Sequence, residues 1–279
     1  MGVIVTILVS LAMLLVILVG LWALALRANP SDADFYGLDG WNYAHRGLHN
    51  SERSVPENSE KAFRLAVRYG YGAELDVHLS RDKRLVVMHD ESLKRTAGLD
   101  MRICDVKSDE IKRLRLEQTD MPVPFLEDIL PIFEGQTPLI IEIKPCGKNY
   151  ARLTYRVCQL LDKYPNLKFC VESFDPRVLI WLRRNRPEIL RGQLSMNFLK
   201  DRAGTSWLTA FVMTNLLLNI FTQPDFIAYR YEDRKSAALW LCKKLWGTKE
   251  FCWTIHNQDE ADDVRRNDAV PIFEGFAAQ

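Results

Sequence analysis

The stretch Gly72-Ala-Glu-Leu-Asp-Val-His78, the turn Leu79-Ser-Arg-Asp-Lys-Arg84 and the run Leu85-Val-Val-Met-His89 decide how the chain is read. Glu74 and Asp76 stand two apart in an apolar run. On a strand that spacing points both carboxylates to one face, with Ala73, Leu75 and Val77 on the other. Two inward carboxylates cannot both be buried uncompensated, so the strand calls for a cation.

Working outward, nine strand-like runs appear: 42–45, 72–78, 85–89, 139–144, 168–174, 193–196, 225–229, 251–256 and 270–273. Amphipathic helical patterns fill most of the gaps, among them 59–69, 150–163, 176–186 and 259–266. Alternating strands and helices mean a parallel sheet covered by helices. For the roughly 240 residues beyond the N-terminal segment, the fold class expected is α/β, a closed (β/α)8 TIM barrel, with an open doubly wound sheet as runner-up. Nine runs are one too many for the barrel. The turn 79–84 is too short for a crossover helix, so its flanking runs form a hairpin or one lies outside the barrel. Leu208–Phe221 is apolar nearly all round and reads as a buried helix in preference to a flap that touches a bilayer.

Val3 to Leu26 carries no charge. As a helix it spans about 36 Å, enough to cross a hydrocarbon core. A cleaved signal peptide would want basic residues at its start and a shorter apolar core, so an uncleaved anchor is the preferred reading. The organisation expected is therefore a transmembrane anchor at 1–27, a turn-rich linker at 28–41 and the barrel at 42–279, with single-pass membrane localisation. Arg27 behind the span leans to a cytoplasmic catalytic domain. The six cysteines show no metal-ligand spacing. Several sit in apolar strand-like or helix-like contexts, where free thiols behave as small hydrophobes, and a domain this large needs no disulfide framework, which leans the same way. Lys and Arg number 37 against 36 Asp and Glu, so nothing points to nucleic acid.

Glu142-Ile-Lys144 repeats the two-residue spacing on another strand. Glu74, Asp76 and Glu142 would make an oxygen ligand set suited to one Mg²⁺ or Ca²⁺. His45 and His89 both end strands, where barrel enzymes keep their active sites. Two histidines across a phosphate can serve as general acid and general base. Arg46 offers a planar fork for phosphate oxygens, and Lys144 adds a second positive charge. Singly, each has a plainer reading: His45 a core histidine, Glu142 and Lys144 a buried ion pair, Glu74 and Asp76 strand-end charges. Their convergence on four strand ends favours chemistry at a phosphodiester. His49 reads as loop surface, His78 as exposed past its strand end, and His256 as structural.

Together these residues resemble the glycerophosphodiester phosphodiesterase family. The motifs are His45-Arg46-Gly47, Pro56-Glu57-Asn58-Ser59, Ala62-Phe63, Glu74-Leu-Asp76-Val77, Asp82, His89-Asp90 and Glu142-Ile-Lys144. Ser173-Phe174-Asp175-Pro176 and Trp253-Thr254-Ile255 follow, so the resemblance runs from about Tyr43 to Phe273. It implies a TIM barrel with a divalent metal on Glu74, Asp76 and Glu142, and His45 and His89 as the catalytic pair. Arg46 and Lys144 would bind the substrate phosphate. The implied reaction is metal-dependent hydrolysis of glycerophosphodiesters to glycerol 3-phosphate and an alcohol. In the family chemistry the neighbouring glycerol hydroxyl attacks phosphorus and water then opens the cyclic phosphate. Which histidine is acid and which base stays open. Pro56 fits a helix start, with Asn58 or Ser59 as cap. The chain departs from the pattern in a longer 47–56 loop, in a short 89–139 stretch that leaves room for only a small cap, and in Glu274-Gly275, where many members have Thr-Asp. The anchor makes membrane lipids plausible substrates, so lysophospholipase D-type cleavage is a variant. The rival from another class is a catalytically silent, membrane-tethered binding protein, although none of the seven site residues is missing.

Overall fold

The computed structural model describes residues 2–29, 35, 37–50, 54–202 and 204–279. The expected loop 47–56 and linker 28–41 therefore lie partly outside the described residues. Eight parallel strands close a barrel: β1 (Tyr43–Ala44), β2 (Gly72–Leu79), β4 (Leu139–Ile143), β5 (Phe169–Ser173), β6 (Arg191–Ser195), β7 (Phe226–Arg230), β8 (Lys249–Ile255) and β9 (Ala269–Phe273). Closure runs through β1, which pairs with β9 on one side and β2 on the other. The ninth strand, β3 (Leu85–Val87), is antiparallel to β2 through Val77 and Val87, His78 and Val86, and Leu79 and Leu85. The surplus run is thus a hairpin partner outside the barrel. Its place follows from the length of β1. Two residues cannot cover the C-terminal half of β2, and β3 pairs that exposed edge instead.

The helices are α1 (Gly2–Ala25), α2 (Glu60–Arg68), α3 (Lys94–Ala97), α4 (Ser108–Ile111), α5 (Leu126–Phe133), α6 (Tyr150–Leu161), α7 (Pro176–Asn185), α8 (Trp207–Thr214), α9 (Asn219–Thr222), α10 (Ala237–Trp246) and α11 (Gln258–Arg266). Strand parity sorts the barrel into two layers. On β2 and β4, Ala73, Leu75, Val77, Leu139, Ile141 and Ile143 face the helix ring. Ile140 faces inward with Tyr43, Phe226 and Phe251, filling the barrel floor. Gly192 belongs to that floor: a Cβ there would stand 2.1 Å from the Phe226 ring. Phe35, Leu38 and Trp41 also pack under the floor, and Tyr43 Oη donates to the Leu38 carbonyl at 2.6 Å. Part of the stretch read as linker is therefore a plug for the barrel base.

Between β3 and α5 the chain builds a small insert with its own core of Leu93, Ile103, Val106, Ile111 and Leu116 beside Val86 and Phe125. Asp82 ties the β2–β3 turn to it by accepting from the Ser108 amide at 2.9 Å and hydroxyl at 2.6 Å. Cys104 in the insert is disulfide-bonded to Cys146 after β4, and four other cysteines are free and buried. Four cysteines match the reading of buried thiols, but the Cys104–Cys146 pair departs from the expectation of no disulfide, and with it goes the cysteine half of the argument for a cytoplasmic side. The reading of 208–221 as a buried helix is also corrected. The segment is two short helices, α8 and α9, whose outer apolar side chains are exposed.

None of the α1 side chains is buried. Its length and hydropathy suffice to cross a membrane. Just past α1, Leu26 is fully buried among Ile227, Tyr229 and Leu239. Trp246 Nε1 donates to the Ala23 carbonyl at 3.2 Å.

Candidate active site

The parity that fills the barrel floor with apolar groups places charge above it. Glu74, Asp76 and Glu142 are buried inward residues one layer up, and Asp76 sits in register with Glu142. One carboxylate oxygen of each lies within 4.8 Å of the others, a set that could hold a metal ion. Hard carboxylate oxygens in such a cluster fit Mg²⁺ or Ca²⁺. Lys144 reaches into the cluster, with Nζ 3.2 Å from Asp76 Oδ1 and 3.3 Å from Glu142 Oε2. Glu172 on β5 stands in register with Glu142, and its Oε2 is buried without a partner.

Four carboxylates around one ammonium cannot all ionise comfortably. Burial, then Asp76, Glu172 and Glu142, push Glu74 well above the usual carboxylate range. Burial likewise raises Glu172, with Glu142 and Asp76 adding to it. Glu142 rises to about 7 through burial, against the pull of Lys144. Asp76 goes the other way. Burial would raise it, but Lys144, His89, Arg46 and the Asn58 hydrogen bond outweigh burial and hold it well below its ordinary value. A divalent cation among these oxygens would favour their ionised forms and relieve the repulsion that raises them.

His45 follows β1 directly. Its Nδ1 donates to Glu274 Oε2 at 2.6 Å, and its Nε2 lies 3.9 Å from Glu74 Oε2. Burial lowers the imidazole, with Glu274 opposing; the same hydrogen bond holds Glu274 down to about 2. His89 repeats the arrangement, Nδ1 donating to Asp90 Oδ1 at 2.7 Å, and burial lowers it too. In both residues the bond on Nδ1 fixes the tautomer and leaves Nε2 for proton exchange.

The motif after His45 is a tight turn. Arg46, Gly47 and Asn58 have φ of 55°, 80° and 53°, in the left-handed region. For Arg46 and Asn58 that conformation is sustained by contacts. The Arg46 amide donates to Glu74 Oε2 at 3.1 Å, and the Asn58 amide to the Arg46 carbonyl at 2.8 Å. Asn58 Nδ2 donates to Asp76 Oδ2 at 2.8 Å. Ser59, not Asn58, caps α2, accepting from the Ala62 amide. Pro56 precedes that helix, which starts at Glu60. Arg46 Nη1 contacts Glu57, and its Nε lies 3.7 Å from Asp76 Oδ2. Arg95 from the insert closes a network, binding Glu57 Oε1 and Asp90 Oδ2 at 2.6 Å each. The two histidine environments are thus joined through Glu57 and Arg95.

All seven residues singled out from the sequence therefore gather at the end of the barrel where β1, β2 and β4 finish, with His89 brought back beside Asp76 by the antiparallel run of β3. Three other histidine readings change or hold. His78 is buried, not exposed: its even parity with Asp76 points it inward, and Nε2 donates to the His89 carbonyl at 3.2 Å. Burial lowers it to about 4. His49 is half-buried, with Nε2 3.6 Å from Glu274 Oε1, so it too is more than loop surface. His256 is exposed, its amide donating to Glu260. Glu57, Asn58, Asp90, Arg95, Glu172 and Glu274 were missed as site residues. Glu57, Asn58 and Asp90 stand inside the motifs quoted above, Glu274 stands at the departure from them, and Glu172 shows itself as a carboxylate in mid-strand at Cys170-Val-Glu-Ser173; Arg95 has no such signal. The other side of the mouth is apolar: Phe174 meets Phe198 at 6.0 Å and Trp253 at 5.8 Å, both edge-on.

Residues 45–274 match the glycerophosphoryl diester phosphodiesterase family. A glycerophosphodiester phosphodiesterase of Caldanaerobacter subterraneus is 28% identical over 232 residues, 80% of this chain and 87% of that protein. The corresponding Bacillus altitudinis protein is 30% identical over 56% of this chain and 66% of its own length. The human lysophospholipase D GDPD1 is 33% identical over 39% of this chain and 37% of its own. Among solved structures, an Oleispira antarctica phosphodiesterase in complex with the product sn-glycerol-3-phosphate superposes with a TM-score of 0.69 at 22% identity, over 86% of this chain and 95% of that one. The match begins at the histidine that Glu274 orients and ends at Glu274 itself, and by it the chain belongs to the glycerophosphoryl diester phosphodiesterase family of phosphoric diester hydrolases.

Proposed function

We propose that this protein hydrolyses glycerophosphodiesters to glycerol 3-phosphate and an alcohol, with a divalent cation held by Glu74, Asp76 and Glu142. The observation that carries it is the pairing of two histidines, each tied through Nδ1 to a carboxylate, around one cluster of three carboxylates. The product bound to the Oleispira antarctica phosphodiesterase supports the choice of substrate.

His45 and His89 are the acid–base pair. One accepts the proton of the glycerol hydroxyl next to the phosphate as its oxygen bonds to phosphorus. The other protonates the departing alcohol oxygen, giving a cyclic phosphate. Water then opens the ring with the two roles exchanged. Arg46 and Lys144 bind the phosphate oxygens, which requires each to loosen part of its present carboxylate pairing. A bound cation supplies positive charge that stabilises the negative charge developing on those oxygens.

Cleavage of lysophospholipids, as the name of the human relative states for that protein, is the second reading. The apolar wall of Phe174, Phe198 and Trp253 favours it, since it offers a place for an acyl chain beside the charged wall. We also read residues 1–27 as an uncleaved single-pass anchor, 28–41 as a linker and 42–279 as the catalytic domain. Leu26 is built into the folded domain and Trp246 bonds to Ala23, contacts that cleavage behind the apolar segment would remove. Arg27 favours the cytoplasmic side for the barrel.

The test is turnover by the full chain in nanodiscs with Mg²⁺, Ca²⁺ or chelator, beside His45→Ala and Glu74→Ala. Substrates are glycerophosphocholine, glycerophosphoethanolamine, glycerophosphoglycerol and lysophosphatidylcholine. Metal-dependent release of glycerol 3-phosphate, lost in both variants, is expected. Lysophosphatidic acid as the sole product moves the assignment to the second reading. No turnover by a folded, metal-binding protein favours the silent binding protein.

A further inference from the structure

We infer that the barrel flank made by α8, α9 and α10 rests on the same bilayer that α1 crosses, so the catalytic domain is seated on the lipid surface. The inference depends on the reading of α1 as a membrane span. From Trp207 to Pro224 the chain has no charged residue. Its outward side chains are large and apolar: Trp207 is 60% exposed, Leu208 65% and Phe221 57%, with Phe211 and Ile220 beside them. On α10 Trp240 is 59% exposed and Leu245 52%. Scattered exposed apolar residues are ordinary; a contiguous set on successive elements marks an interaction surface. The far side of the barrel shows the ordinary pattern. There α6 turns Arg152, Tyr155, Arg156 and Gln159 outward, and α2 turns Lys61, Arg64 and Arg68.

The occupant follows from where α1 leaves the domain. α1 packs against α9. Leu26 is sealed among Ile227, Tyr229 and Leu239, and Trp246 at the end of α10 holds the Ala23 carbonyl. The exit of the span is therefore fixed to this flank, and the exposed side chains stand next to the point where the chain enters lipid. Their chemistry agrees. Tryptophan belongs at the headgroup level of a membrane, and Trp22, Trp207, Trp240 and Trp246 all lie on these helices. Trp207 and Phe211 are already stacked at 5.5 Å, so the wedge they form is preorganised. Arg27, two residues past α1, and Lys244 on α10 are exposed, where they meet anionic headgroups. The inner face of α8 packs through Ala210 and Met213 on Met196 and Phe198, next to Phe174 and Trp253. Seating the flank thus brings the apolar wall of the site mouth toward the bilayer.

The experiment places an environment-sensitive fluorophore (NBD) at Leu208→Cys, Phe221→Cys, Tyr155→Cys and, within the span, Leu14→Cys. The full chain is used under non-reducing conditions, with the unsubstituted protein as labelling blank. It is reconstituted in phosphatidylcholine–phosphatidylglycerol nanodiscs with and without acyl-chain-brominated phosphatidylcholine. Labels at 14, 208 and 221 are expected to shift to the blue and lose at least about half their emission to the brominated lipid, while 155 is unaffected. Quenching at 14 but not at 208 and 221 overturns the seating and leaves the span intact. A blue shift at 208 and 221 without quenching assigns the flank to a protein contact and also overturns it. No quenching at 14 overturns the span and the seating together, whatever the turnover assays give.

Discussion

Replacing Glu274 by glutamine keeps the shape of the His45 partner and removes its charge. The bond in question is 2.6 Å long between a ring N–H and a carboxylate. Hydrogen bonds to a charged group contribute about 1.5–3 kcal/mol, and a neutral amide keeps only part of that. Glu274 is 32% exposed, so solvent screens the interaction and the lower half of the range applies. At about 1.4 kcal/mol per factor of ten, the expected loss in kcat is roughly 10- to 30-fold. KM should change little, because the amide is outside the phosphate-binding set. The assay is glycerol 3-phosphate release from glycerophosphocholine across the pH range, with thermal unfolding as the control for folding. Glu274 is among the groups that raise His45, so its neutralisation lowers that imidazole further. If His45 takes the proton, the acid limb of the profile moves to lower pH. If it gives the proton, the alkaline limb does. The variant therefore also assigns the two histidines. Activity within about twofold of the parent, with neither limb moved, would refute the idea that Glu274 tunes and orients His45.

Glu74→Gln should weaken Mn²⁺ or Mg²⁺ binding at least about tenfold in calorimetry, because one of three anionic oxygen donors is lost. Undiminished affinity would remove Glu74 from the ligand set. Asn58→Ala loses the bond to Asp76 and strains a left-handed position, whereas Asn58→Gly loses only the bond. Alanine should cost about 1–3 kcal/mol in denaturant unfolding and glycine less, both with a clear fall in kcat. Equal unfolding curves for all three proteins would argue against this account. His78 is neutral in the fold, lowered from 6.5 to about 4 by burial. The unfolded chain binds its proton first as pH falls, so stability is lost between about pH 6.5 and 4, by up to roughly 3 kcal/mol. In His78→Gln that part of the acid slope should flatten; an unchanged slope would place the sensitivity elsewhere.

What the sequence discloses and what it hides divide along physical lines. Strand parity is local, so Glu74, Asp76, Glu142 and Lys144 were legible from their own strands, and the surplus run could be read as a hairpin from six intervening residues. His78 was misread by stopping the strand one residue early: β2 runs to Leu79, and a residue taken as past the end is inside. The outward face of α8 and α9 was misread because an apolar segment looks the same whether protein or lipid covers it. Cys104 and Cys146, 42 residues apart, carry no sign of their pairing in the chain.

The deepest omission was the set of groups that position other groups. Glu274 lies 229 residues from His45, and Arg95 lies 38 from Glu57. No spacing rule joins such pairs; barrel closure does. Because β1 pairs with both β2 and β9, the first strand end and the last become neighbours, and the residue after β9 becomes the partner of the residue after β1. Glu274 is a position where the chain departs from the family pattern. A carboxylate one residue beyond that strand reaches the imidazole, so at this departure the chain gives His45 an anionic partner.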